Sequence, residues 1–239
     1  MRVSLAPIRK ASPGSNAGKA QALLDELGAR VVLGEATDCS EPVSPISPTA
    51  KTLFGPRGAL LASSEGPLFV CDTGHHRLLI WNSAPERSGT PADIVIGQPD
   101  FSSEGRNARG NVDAATVNVP TGIAASNGVL AVADAWNHRV LIWHSYPTRS
   151  NQPADVVLGQ TDFAGALANR GKVHATADTL NWCYGVAIAD GALYVADTGN
   201  RRVLKWNHVP LDNGTPADLV LGQEDFVTRD ENAGYAPAA

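Results

Sequence analysis

Three carboxylate–guanidinium pairs recur in this 239-residue sequence: Asp72 with Arg77, Asp134 with Arg139 and Asp197 with Arg202, each five residues apart. Across a tight turn that spacing lets the carboxylate cap turn amides while the guanidinium lies opposite in a charge-assisted hydrogen bond. Since every copy has the pair, all six residues are assigned to architecture. Departures from the repetition are the better candidates for binding. Trp136 stands where the sister copies have Gly74 and Gly199, and Trp182 and Tyr184 flank Cys183. Aromatic residues on a rim can stack a ligand or anchor a partner. His174 and His75 join them, and Asn107, Arg109 and Arg170, with Arg106 and Asn169 beside them, can hold an anion or a carbonyl group. Packing among the loops accounts for the same residues equally well.

Metal and nucleophilic chemistry find less support. His75 and His76 are adjacent, and neighbours on a strand point to opposite faces, so the two do not suit one metal ion. His76 and His138 occupy equivalent positions, which favours an architectural role. Cys71 falls where Ala133 and Ala196 fall, in a buried strand, and Cys183 is expected to be more exposed. Neither has an identifiable base nearby. With Cys39 they make three cysteines without paired spacing, which suggests neither disulfides nor zinc. No nucleophile elbow, phosphate-binding glycine loop or His-Glu-x-x-His helix occurs. No catalytic residue, metal or cofactor is therefore assigned.

The elements that hold these residues follow from the repetition. The Asp, the Arg and Trp81, Trp143 and Trp206 all recur at steps of 62 and 63 residues. Each unit reads as four strands: A (58–62, 122–125, 185–189), B ending at the Asp, C ending at the Trp, and D (94–97, 156–159, 219–222). Pro-Ala-Asp announces strand D and Gly-Gln-x-Asp-Phe ends it. The domain reading is an N-terminal extension, 1–28, with a short amphipathic helix carrying Ala20, Leu23, Leu24 and Leu27, followed by repeats over 29–239. Val31-Val32-Leu33-Gly34 matches strand D, because Gly34 precedes Gly97 by 63 residues. The chain thus opens on an orphan D strand, 30–35, followed by units at about 54–101, 118–163 and 181–226.

Net charge is −5 with a pI near 5.6, which gives nucleic acid and anionic membranes no electrostatic reason to bind. Neither a signal peptide nor a membrane span is read, and a reducing, cytoplasmic setting is expected.

Four-stranded units at a fixed period are how β-propeller blades look in sequence. The hairpin signature Asp72-Thr73-Gly74-His75-His76-Arg77, with its counterpart Asp197 to Arg202, resembles the NHL repeat over about 53–226. That resemblance implies an all-β propeller, commonly six-bladed, used mainly as a binding platform. Some relatives are metal-dependent lyases or are hydrolase-like, and some bind nucleic acid. Strand A offers no ligand-type side chain to a central channel. The function expected is a non-enzymatic binding or scaffold protein that takes a protein partner or small ligand on its loop-bearing face. A propeller lyase or hydrolase is the alternative. Three blades are too few to close a ring. Three arrangements are open: a homodimer completing a six-bladed ring, an irregular fourth blade from the N-terminal segment, or a fragment or open three-blade array whose missing partner lies on another chain.

Overall fold

The computed structural model describes residues 31–34 and 47–235. The chain divides into Met1–Arg30 and Val31–Ala239. The expected N-terminal helix and Cys39 lie outside the described residues.

Three four-stranded antiparallel sheets follow one another in sequence order. Blade 1 comprises β1 (Gly58–Leu61), β2 (Leu68–Asp72), β3 (Arg77–Trp81) and β4 (Ile94–Ile96). Blade 2 comprises β5 (Pro120–Ser126), β6 (Val129–Asp134), β7 (Arg139–Trp143) and β8 (Val156–Leu158). Blade 3 comprises β9 (Cys183–Ala189), β10 (Ala192–Asp197), β11 (Arg202–Trp206) and β12 (Leu219–Leu221). The inner strands β5 and β9 begin earlier than glycine spacing predicts, because pairing resumes beyond a register shift.

Alternation along each strand puts apolar side chains on both faces, and the faces that meet at each seam are buried by the adjoining blade. Phe69, Cys71, Leu78, Ile80 and Ile96 of blade 1 pack with Leu130, Val132, Leu141 and Trp143 of blade 2. Ala131, Val140, Ile142 and Leu158 of blade 2 pack with Leu193, Val195, Leu204 and Trp206 of blade 3. Strand β7, with a neighbour on each side, is buried at all five positions, whereas β11 alternates buried with half-buried.

The recurring signatures have local reasons. Each C-strand Trp donates its indole N–H to the C–D loop: Trp81 to Thr90 O (3.0 Å), Trp143 to Gln152 O (3.2 Å) and Trp206 to Thr215 O (3.0 Å). The aspartate of Pro-Ala-Asp accepts the first N–H after that Trp, at 2.7 to 2.8 Å. In Gly-Gln-x-Asp-Phe the glycine takes a left-handed conformation, as at Gly97 (φ 94), and a Cβ there would meet Val117 Cγ2 at 2.5 Å. The Gln98 amide then donates to carbonyls of the B–C turn and the following loop, as Gln160 does in blade 2.

Val31–Leu33, the expected orphan strand, belongs to no ladder. It instead bonds the C–D loop of blade 1, where Val32 N–H donates to Ser88 Oγ (3.0 Å) and Val32 O accepts from Gly89 N–H (3.0 Å).

Candidate binding face

The B–C turns and the D-to-A loops share one face of the array. Each B–C turn is a single 3-10 turn (Thr73–His75, Ala135–Asn137, Thr198–Asn200) closed by a left-handed residue: His76, His138 or Arg201. The carboxylate before it does not cap the turn amides, contrary to the spacing argument. Its Oδ1 reaches the D-to-A loop, accepting N–H from Phe54 (2.6 Å), Asn118 (2.6 Å) and Asn181 (2.7 Å). Its Oδ2 takes the arginine Nε at 2.7 to 2.8 Å. The rest of each guanidinium donates to loop carbonyls, as Arg139 does to Phe163 O (2.6 Å), Asp113 O (2.9 Å) and Thr116 O (2.8 Å). Burial pushes the Asp134 carboxyl up, and Arg139 with two further donors pulls it back. The six residues clamp the loops to the blade and are all buried.

A second set of contacts crosses between blades. Asn107 and Asn137 exchange amide hydrogen bonds (2.8 and 3.4 Å), as do Asn169 and Asn200 (2.8 and 3.0 Å). His76 Nδ1 accepts Val119 N–H (3.1 Å), and His138 Nδ1 accepts Trp182 N–H (2.9 Å). Both accepting residues carry their proton on Nε2. The bonds hold Val119 (φ 57) and Trp182 (φ 48) in the left-handed region, unusual for a bulky side chain and most of all for a β-branched one. Burial lowers both histidine pKa values, and the Arg106 charge lowers that of His76 further.

Trp136 projects at the seam between blades 1 and 2. It is 42% exposed, with the Arg106 guanidinium 5.1 Å from its ring centroid. Its sister positions are glycine because the neighbouring loop presses on them: a Cβ at Gly74 would lie 2.4 Å from the Phe54 ring, and one at Gly199 would lie 2.5 Å from Asn181 Cγ. At Trp136 the loop stands further off, with its N–H 3.1 Å from Asn118 O against 2.7 and 2.8 Å in the sister turns.

The other candidates divide clearly. Trp182 is 50% exposed, with its ring centroid 6.2 Å from that of His138, and Tyr184 is half-buried on β9. His174 is exposed on the loop before β9. His75 is fully buried, with Nδ1 2.8 Å from Asp72 Oδ2 and its ring against Phe54, so it does not face solvent. Asn107 is committed to the amide pair. Arg109 folds back on Glu104 O (3.0 Å), and Arg170 bonds Asp178 within its own loop. Trp136 and Asn107, with Arg106, meet at the seam between blades 1 and 2, whereas Trp182 and Tyr184 lie at the seam between blades 2 and 3.

Both described cysteines are buried, which corrects the expectation that Cys183 is exposed: its Sγ–H donates to Arg139 O (3.2 Å). Burial, then nearby aspartates, push both thiols up, so neither is a thiolate at neutral pH. Among the described residues no cluster of three or more His, Cys, Asp or Glu is placed to hold a metal. None of their helices is long and apolar enough to cross a membrane.

With the geometry in hand, three comparisons bear on identity. The NHL repeat family matches residues 118–143, which run from the Asn118 loop through β5, β6 and β7. Among solved structures, hydrazine synthase from Kuenenia stuttgartiensis aligns with a TM-score of 0.45 at 12% identity, covering 81% of this chain and 41% of that one. The chain thus spans less than half the length of that structure. No curated protein matches. The chain is an all-β protein of propeller type built from three four-stranded antiparallel sheets, and the match to the NHL repeat falls on β5, β6 and β7 of the second.

Proposed function

We propose that this protein is a non-enzymatic binding platform that takes a protein partner on its loop-bearing face, at the seam between blades 1 and 2. The observation that carries the reading is Trp136: a large aromatic half exposed under a guanidinium, at a position where both sister turns need glycine. An indole already contacted by Arg106 loses little conformational freedom on binding, and Trp and Arg are enriched among binding hot spots. The outer edge of that guanidinium suits a carboxylate or carbonyl on the partner.

Peptides selected from a displayed random library on the immobilised protein supply a probe. Trp136→Ala should weaken their binding about 30-fold, the equivalent of about 2 kcal/mol for a hot spot. The melting temperature should stay the same, since the ring packs in no core cluster. Peptides bound equally well by Trp136→Ala and Arg106→Ala would move the function off this face.

A further inference from the structure

The outward face of blade 3 repeats the contacts that join blades 1 to 2 and 2 to 3, without a neighbour among the described residues. At both inner seams the middle residue of strand D bonds the C–D loop of the next blade. Val95 N–H donates to Ser150 Oγ (3.2 Å) and Val95 O accepts Asn151 N–H (2.8 Å). Val157 does the same with Asn213 Oδ1 (2.9 Å) and Gly214 N–H (2.8 Å). Val220 is the equivalent residue of β12, and no described loop meets it. The matching loop of blade 1, with Gly89 left-handed like Asn151 and Gly214, holds Val32 in the same two bonds.

Two further features of blade 3 fit a neighbouring blade. Gly58 and Gly122 are glycine because the next inner strand crowds them: a Cβ would lie 2.2 Å from Thr121 O and 2.8 Å from Tyr184 O. Gly185 occupies the same place on β9, yet a Cβ there meets only Ala196 Cβ, at 3.4 Å. At the first seam the Tyr146 ring packs edge-on against Phe69 with centroids 5.1 Å apart. The corresponding residues at the free ends are Tyr194 on blade 3 and Ala84 on blade 1, a large side chain facing a small one. Beside Val31 and Leu33, blade 1 presents an apolar groove of about 440 Å³ lined by Leu53, Ala59, Leu68 and Val70.

We propose that blade 3 of one copy docks on blade 1 of a second copy, and that Val31–Gly34 is a stand-in strand holding the Ser88–Gly89 seat until Val220 of the second copy displaces it. Tyr194 and Leu219 of the docking blade then enter the groove. Twofold repetition of this contact closes a pair, whereas a rotation that fails to close extends an array. Water is the competing occupant. Lys205 replaces Ile80 and Ile142 on this face, its Nζ lying 5.8 Å from the Tyr194 ring centroid, and a solvent-facing terminal blade carries such substitutions.

Sedimentation of the full chain over a concentration series decides between them. Val32→Pro removes the N–H that bonds Ser88 and should shift the equilibrium at least tenfold toward a particle of about 50 kDa, twice the 25.0 kDa chain. Adding Gly185→Ala should return it to monomer without changing monomer stability. Val32→Pro remaining monomeric, or a pair indifferent to Gly185→Ala, overturns the proposal. Should Val32→Pro not fold, Ala84→Cys chains mixed with Tyr194→Cys chains and treated with a bis-maleimide long enough to span a tyrosine side chain give an independent reading. A cross-linked pair is expected, and its absence overturns the proposal equally. Neither measurement involves Trp136, so the binding reading stands or falls separately.

Discussion

His76 and His138 each accept a neighbouring blade's N–H through Nδ1, a role open only to the neutral ring. Their pKa values are lowered by burial, so the folded protein resists a proton that the unfolded chain takes up near pH 6.5. Their contribution is therefore complete above about pH 6.5 and is lost as pH falls through the lower folded values. Thermal unfolding should show a melting temperature that drops between pH 7.5 and pH 5.5. His138→Ala should be less stable at pH 7.5 by about 2–4 °C, as the loss of a hydrogen bond worth about 1 kcal/mol implies, and should have a flatter pH dependence. An unchanged slope would mean that the rings titrate elsewhere. Their matching positions in the repeat pointed to architecture. The ring nitrogen involved and its partner 43 or 44 residues away could not be read, because nothing local in the sequence links His76 to Val119.

At the scale of the strand, the inner edges of the blades approach closely enough to exclude a methyl group. Gly122→Ala puts a Cβ 2.8 Å from Tyr184 O and 3.0 Å from Gly185 Cα, both backbone atoms that move only with β9. Overpacking of this kind costs about 1–3 kcal/mol, and chemical denaturation should find it, while the same substitution at Gly185 should be near neutral in the monomer. Equal losses at both sites would show that strand flexibility, not contact, sets the cost. The four strands per unit were legible because alternation and turn residues act locally. Glycine in the B–C turn could not be explained from the turn alone. It is a packing requirement imposed by Phe54 and Asn181, which lie 20 and 18 residues upstream of Gly74 and Gly199.

Taken whole, the array is a stack in which each blade touches only the next, so stability should grade along it. Blade 2 is covered on both faces, whereas β12 leaves Leu219 and Leu221 each nearly half exposed, at 45% and 46%. Amide hydrogen exchange should be slowest in β6 and β7 and at least about tenfold faster in β12. Uniform exchange across the three sheets would mean that they open as one unit. Docking of a second copy on blade 3 should slow β12 selectively, which ties this measurement to the stand-in strand.

The repeat period, the four strands of each blade and the Asp–Arg pairs were all determined by the sequence alone, since each is written in short-range pattern and regular spacing. Tertiary structure decided where those side chains place their hydrogen bonds: the aspartates on D-to-A loop amides and turn side chains rather than turn backbone amides, His75 and Cys183 in the interior, Arg109 and Arg170 within their own loops. It also decided that Trp136 shares its seam with Arg106, and that Val32 sits on Ser88 and Gly89. Those outcomes depend on which residues the stacking of blades brings within bonding distance, and stacking joins positions tens of residues apart that no local periodicity connects.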